Sequence, residues 1–287
     1  MNNSQQGLAW RCRGRRIALE RTLVMGIVNA TPDSFSDGGL CFDAECAVAH
    51  GLKLAAEGAD ILDIGGESTR PNSAVVNEAE ELRRVLPVIQ RLTRECAVPV
   101  SVDTRHAAVA RVAIEAGACI INDVMPFAGD VAMAAVVRET GAGLVAMHMR
   151  GTPQTMTQHT DYGDVVTEVE DALREALAYA EGQGIARECV VVDPGIGFAK
   201  DTAQNVALLA ATARLARLAP VLVGVSRKRV IGELCGETVA SERTGGSVGA
   251  AVWCALQGAS VVRVHDVKAT RQALTVAAAL ECRKRDI

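Results

Sequence analysis

The chain has 287 residues, 49% of them hydrophobic but only 3% aromatic, with a formal net charge of −4. So few rings leave no stacking platform for single-stranded nucleic acid, and the negative balance leaves no basic face for a phosphate backbone. No apolar run approaches the roughly 18 residues of a membrane span, so a cytoplasmic protein is expected, with neither nucleic acid nor membrane as partner.

Residues 1–20 carry basic side chains without an apolar core of signal-peptide length. Within them WRCRGRRIAL alternates around Gly14, the pattern of a hairpin that could plug the floor of the sheet that follows. LVMGIVN (23–29) is the first buried strand, and it opens onto ATPDSFSDGG, which is too long for a turn and too polar to pack. Amphipathic helical segments are expected at 43–57, 77–95, 105–116, 164–182 and 201–218. Between them EGADILDIGG (57–66), AGACIINDV (116–124), TGAGLVAMHM (140–149) and QGASVVRVHDV (257–267) share one junction: Gly-Ala, a variable residue, then a short apolar strand with a polar end. Gly ends a helix in the left-handed conformation, so the junction is a helix C-terminus feeding a strand. VPVSVDT (98–104), CVVVDPG (189–195) and LVGVSR (222–227) bring the strands to eight.

Apolar strands alternating with helices predict an α/β protein with a parallel sheet. Eight units point to a single (β/α)8 TIM barrel over residues 21–287 behind the 1–20 extension, with an open doubly wound sheet as the alternative. The nine cysteines stand singly, odd in number and without a CxxC pair, which reads as free thiols.

A parallel barrel gathers its strand C-termini on one face, and here those ends supply Asn29, Asp63, Asp103, Asn122, His148, Asp193, Ser226 and His265. Burying such groups unpaired costs about 1–3 kcal/mol each, so the rim reads as a site. Asp103, Asn122 and Asp193 suit the donor and acceptor edge of a flat heterocycle such as a pterin or purine. Arg70, the run Ser226-Arg227-Lys228-Arg229, Arg263 and His265 suit a phosphorylated group, which barrels commonly hold at their last two strand ends. DPGIGFAK lacks the third Gly of a dinucleotide motif, and no P-loop or HExxH occurs.

NATPDSFSDGG, DIGGESTRP, SVDT, INDV, DPGIGF, SRK and RVHD, in this order and spacing, resemble the motif series of the dihydropteroate synthase family over nearly the whole chain from Leu23 onward. The resemblance implies a (β/α)8 homodimer that joins 6-hydroxymethyl-7,8-dihydropterin pyrophosphate to 4-aminobenzoate. It implies pterin contacts at Asp103, Asn122, Asp193 and Lys228, Mg²⁺ at Asn29, and pyrophosphate contacts at Asn29, Thr69, Arg70, Arg263 and His265. It places aminobenzoate against Thr69, Arg70, Pro71, Phe198, Ser226 and Arg227, with loops 30–39 and 65–73 closing over the site. Asp103, Lys228, Arg263 and His265 would carry the chemistry, an SN1-like departure of pyrophosphate. Two departures from the family pattern, Met125-Pro126-Phe127 and Ile196, could reshape the aminobenzoate side. A pterin-binding methyltransferase barrel shares the Asp/Asn/Asp set but has no use for a pyrophosphate site. Whether the chain is a resident folate enzyme or an acquired sulfonamide-insensitive version stays open at this level.

Overall fold

The computed structural model describes residues 7–31, 44–67 and 76–284. A two-stranded antiparallel hairpin, β1 (Ala9–Cys12) and β2 (Arg15–Ala18), comes first, turning at Gly14 with positive φ. Among the described residues eight parallel strands follow: β3 (Leu23–Asn29), β4 (Ile61–Gly65), β5 (Val100–Asp103), β6 (Ile120–Asp123), β7 (Gly143–Met147), β8 (Val190–Asp193), β9 (Leu222–Val223) and β10 (Val261–Val264). They pair in the order β8-β7-β6-β5-β4-β3-β10-β9, and a parallel bridge between Val192 and Val221 joins the two ends. The sheet is therefore a closed barrel, not an open one.

Helices lie between the strands: α1 (Ala44–Ala56), α2 (Glu78–Glu95), α3 (Ala107–Glu115), α4 (Met133–Thr140), α5 (Val165–Gly182), α6 (Thr202–Ala210), α7 (Thr212–Leu215), α8 (Arg229–Cys235), α9 (Thr244–Leu256) and α10 (Val267–Lys284). The helix expected over 201–218 is thus two, broken at Ala211. At the break the Thr212 hydroxyl donates to the Leu209 carbonyl, which diverts a carbonyl of the last turn from the helical ladder.

Strand alternation sorts the core into two sides. Val24, Val28, Leu62, Ile64, Val102, Ile121, Leu144, Val192 and Val262 face outward and pack under the helices. Met25, Ile61, Ile120, Val145, Val191, Leu222 and Val261 belong to a second cluster inside the barrel, and Trp10, Cys12 and Leu19 from the hairpin region pack against them. The hairpin is pinned there by Trp10 Nε1 donating to the Cys189 carbonyl at 2.8 Å and by the Arg13 amide donating to Gly141 O. The barrel floor is therefore closed by apolar side chains, and a ligand can enter only from the opposite end.

Among the described residues Cys12, Cys96, Cys119, Cys189, Cys235, Cys254 and Cys282 are free thiols. No described helix is long and apolar enough to cross a membrane.

Candidate active site

Two residues beyond each floor residue, the same strand returns to the barrel interior. That next layer is Ile27 after Met25, Asp63 after Ile61, Asp103 after Ser101, Asn122 after Ile120, Met147 after Val145, Asp193 after Val191, Gly224 after Leu222 and Arg263 after Val261. An apolar floor thus supports a layer of three carboxylates, one amide and one guanidinium. Backbone register sets this arrangement, because Asp103 stands beside Asn122 and Gly65 beside Asp103 in the ladders.

Arg263 is the centre of the layer. Its Nε donates to Asp63 Oδ2 at 2.6 Å and its Nη2 to Asp103 Oδ2 at 2.7 Å, while Asn122 Nδ2 donates to the same Asp63 oxygen at 3.0 Å. Burial would by itself lower the guanidinium, but Asp63, Asp103 and Asp193 outweigh it and hold it above its ordinary value. Asp103 is pushed up to about 7, first by burial and then by Asp63, Glu81 and Asp123, with Arg263 opposing. Behind it, Glu81 Oε2 lies 2.7 Å from His106 Nδ1, and burial raises the Glu81 carboxyl.

Asp193 forms the other half. Its Oδ1 accepts from the Gly195 amide at 2.7 Å; burial raises its pKa, opposed by Lys228, this amide, Lys200 and Arg263. Lys228 comes from the turn after β9, where Gly224 leaves room. A Cβ there would lie 3.8 Å from Lys228 Nζ and 3.7 Å from Arg263 Cβ. Lys228 Nζ donates to the Ile196 carbonyl at 2.5 Å and stands 4.6 Å from the centre of the Phe198 ring. Burial lowers the ammonium to about 8 despite Asp193. Phe198 packs with Val124, Met147, Met156 and the partly buried Met125 and Met149, an apolar wall beside the charged layer.

The remaining rim residues divide. Ser226 Oγ accepts from the His265 amide and lies 3.1 Å from His265 Nδ1. Next to them Arg227, at positive φ, makes two hydrogen bonds to Asp266, at 3.0 and 2.6 Å. Arg227 and His265 also line a cleft of about 320 Å³ with His50, Lys53 and Lys268 from α1 and α10. Arg229 pairs with Glu233 in solvent. Asn29 ends β3 beside Gly65. Thr69, Arg70 and Pro71, with most of the loops 30–39 and 65–73, lie outside the described residues.

Some expectations are corrected. Asp63 is no rim residue: it sits within β4, fully buried and ion-paired. His148 is also withdrawn from the rim, buried with its Nδ1 3.0 Å from Lys200 Nζ. Phe127 packs its ring at a tilt against Tyr179 of α5 with ring centres 4.8 Å apart, and Ile196 is fully buried in the outer core. Of these departures only Met125 reaches the wall that holds Phe198. Sequence reasoning missed the Asp63–Arg263 pair and Lys200. The i+2 alternation above the floor strands was the signal that could have found the pair.

A closed parallel barrel with this inner layer matches, over residues 25–265, the family described as pterin binding enzyme. A dihydropteroate synthase of Synechocystis sp. is 43% identical over 262 residues, covering 91% of each chain. Among solved structures, the Xanthomonas albilineans dihydropteroate synthase with 4-aminobenzoic acid is similar at 50% identity and a TM-score of 0.90, covering 95% of this chain and 98% of that one. The same enzyme in complex with 7,8-dihydropteroate gives 49% identity and a TM-score of 0.86, covering 94% and 98%. The chain belongs to the pterin-binding enzymes, and within them to the dihydropteroate synthase family.

Proposed function

We propose that the chain transfers the pterin methyl group of 6-hydroxymethyl-7,8-dihydropterin pyrophosphate to the amine of 4-aminobenzoate, giving 7,8-dihydropteroate and pyrophosphate. The observation that carries this reading is the inner layer itself. Asp103, Asn122, Asp193 and Lys228 present adjacent acceptors and donors above an apolar floor, the complement of a flat ring with alternating N–H and carbonyl groups.

Asp103 and Asp193 accept the ring N–H groups, Asn122 does one of each, and Lys228 donates from the side where Phe198 lies. The C–O bond to pyrophosphate breaks, the C–N bond to the arylamine forms, and the amine proton leaves with pyrophosphate or water. The two carboxylates steady positive charge on the methylene as that bond breaks, an SN1-like path in a site where the apolar floor already excludes water from below. Arg263 and His265, with Asn29, Thr69 and Arg70, take up charge on the departing pyrophosphate. The Phe198 wall, Ser226, Arg227, Thr69, Arg70 and Pro71 receive aminobenzoate.

Among the described residues no group of three or more His, Cys, Asp or Glu could hold a metal, so a protein cage is not on offer there. Asn29 supplies one hard oxygen at the strand end, a donor set that fits Mg²⁺ held mainly by phosphate and water. When bound, Mg²⁺ would neutralise charge on the pyrophosphate oxygens.

The exposed apolar side chains Leu256, Val276 and Leu280 line one groove between α9 and α10, which supports a homodimer through that face. A cytoplasmic location agrees with its free cysteines.

Incubating the purified protein with the pterin pyrophosphate, 4-aminobenzoate and Mg²⁺ should yield dihydropteroate and pyrophosphate in equal amounts. No product from protein that still binds the pterin would overturn the proposal. A sulfonamide added to the same assay separates a resident enzyme, which it inhibits, from an insensitive version.

A further inference from the structure

Lys200 closes the turn that runs from Asp193 through Phe198, and its side chain is only 3% exposed. A lysine at the end of a glycine-rich turn normally projects into water; this one points back into the turn. Burial lowers its pKa to about 7, and below that pH its ammonium has three protons for the three acceptors that surround Nζ: the Gly195 carbonyl at 3.1 Å, the Phe198 carbonyl at 2.9 Å and His148 Nδ1 at 3.0 Å. His148 can accept there because burial, Lys200 and Arg150 hold its pKa down to about 3, so the ring stays neutral.

The turn needs such a centre. Gly195, Gly197 and Ala199 all have positive φ, and a Cβ on Gly195 would come within 2.0 Å of the His148 carbonyl oxygen. Little backbone pairing holds the segment: Phe198 N donates to Gly195 O at 3.1 Å, and Gly197 N donates to the Asn205 side chain at 2.7 Å. The two carbonyls that Lys200 gathers flank the residues whose placement matters. Gly195 donates its amide to Asp193, and Phe198 carries the ring of the apolar wall.

We propose that Lys200 is a positioning residue for the substrate site, its buried ammonium fastening the Asp193–Lys200 turn so that Asp193 and Phe198 are held facing the ligand together. This rests on Asp193 being a pterin-binding carboxylate. Lys200 touches no substrate group and acts through its two carbonyls and through its charge. The charges that bear on Asp193 come from three segments: Lys200 on its own turn, Lys228 after β9 and Arg263 on β10.

The test compares Lys200→Met with Asn205→Ala and Asp193→Asn, using 6-hydroxymethylpterin without pyrophosphate as the calorimetric probe and 4-aminobenzoate KM as the kinetic one. Lys200→Met should weaken the pterin by about tenfold or more and raise the aminobenzoate KM. It should also move the acid limb of pterin binding to higher pH, because a cation that favours the Asp193 carboxylate is gone. Asn205→Ala loosens the same turn but leaves that cation, so affinity should fall with the limb in place. If Lys200→Met does not fold, Lys200→Gln keeps donors without charge and should still shift the limb upward. A folded Lys200 variant with native pterin affinity, KM and pH profile overturns the proposal. Native affinity in Asp193→Asn overturns instead the reading beneath it.

Discussion

Arg263 and Asp63 meet at 2.6 Å inside the barrel although 200 positions separate them in the chain. They sit on β10 and β4, the two strands that flank β3, so the pair bridges the N-terminal and C-terminal ends of the barrel sequence. Because Arg263 also holds Asp103, its guanidinium is tied to two carboxylates of the inner layer at once.

Removing Arg263 should therefore damage more than pyrophosphate binding. Arg263→Ala leaves Asp63 and Asp103 buried without their cation, at a cost of about 3–5 kcal/mol. Urea denaturation should show that loss. Calorimetry should show weaker binding even of a pterin lacking pyrophosphate, because Asp103 becomes harder to ionise. Arg263→Lys should not rescue it, since an ammonium cannot reproduce the planar fork.

The pH dependence follows from two groups. Asp103 must be ionised to accept two ring N–H bonds, and its pKa is near 7; Lys228 must keep its proton, and its pKa is near 8. Because kcat/KM reports the free enzyme, it should rise as pH passes about 7 and fall as pH passes about 8, a narrow bell in which both limbs belong to the coupled site. Asp103→Asn should remove most activity and leave the acid limb to Asp193, whose carboxyl burial also raises.

The same carboxyl should cost the unliganded protein stability. Its folded pKa lies above the unfolded value, so between about 4 and 7 the folded state binds more protons and stability falls as pH rises. Asp103→Asn should accordingly stabilise the empty protein more at pH 8 than at pH 4, measured by thermal melting.

The floor is separable from the chemistry. Trp10 is 1% exposed and bonded to Cys189, so Trp10→Ala should lose about 3–5 kcal/mol. Because the hairpin closes the end away from the inner layer, kcat and KM per folded molecule should stay near native. A large change in KM at full folding would contradict this partition.

The homodimer reading is tested on α10. Leu280→Lys should shift the protein toward monomer in sedimentation, whereas Val131→Lys, also at an exposed apolar position but outside that face, should leave it unchanged. A native sedimentation profile in Leu280→Lys would remove α10 from the interface.

The strands were legible because each is a short apolar run introduced by a helix-ending glycine or bounded by polar residues, as at Gly58-Ala59 before β4. Asp103, Asn122 and Asp193 were legible for the same reason: a polar residue at the end of such a run has nowhere else to point. Lys200 was not, because a lysine after Gly-Phe-Ala reads as a solvated end, and only the folded turn shows three acceptors converging on it. Asp63 was seen but misplaced, since its partner Arg263 lies too far along the chain for local pattern to reveal. Phe127 looked like a pocket residue until its positive φ sent the ring onto Tyr179.

The closure between β8 and β9 rests on the single bridge of Val192 and Val221, with Val192 N donating to the Pro220 carbonyl. Every other neighbouring pair has at least two register pairs, so this is the thinnest seam of the wall. Asp193 stands on one side of it and Lys228 on the other, joined so far by the Lys228 bond to Ile196. A ring that touches both acts as a stitch across the seam. In amide hydrogen exchange the empty protein should open here before the rest of the barrel, and a bound pterin should slow exchange at Val192 more than at the well-paired Ile64.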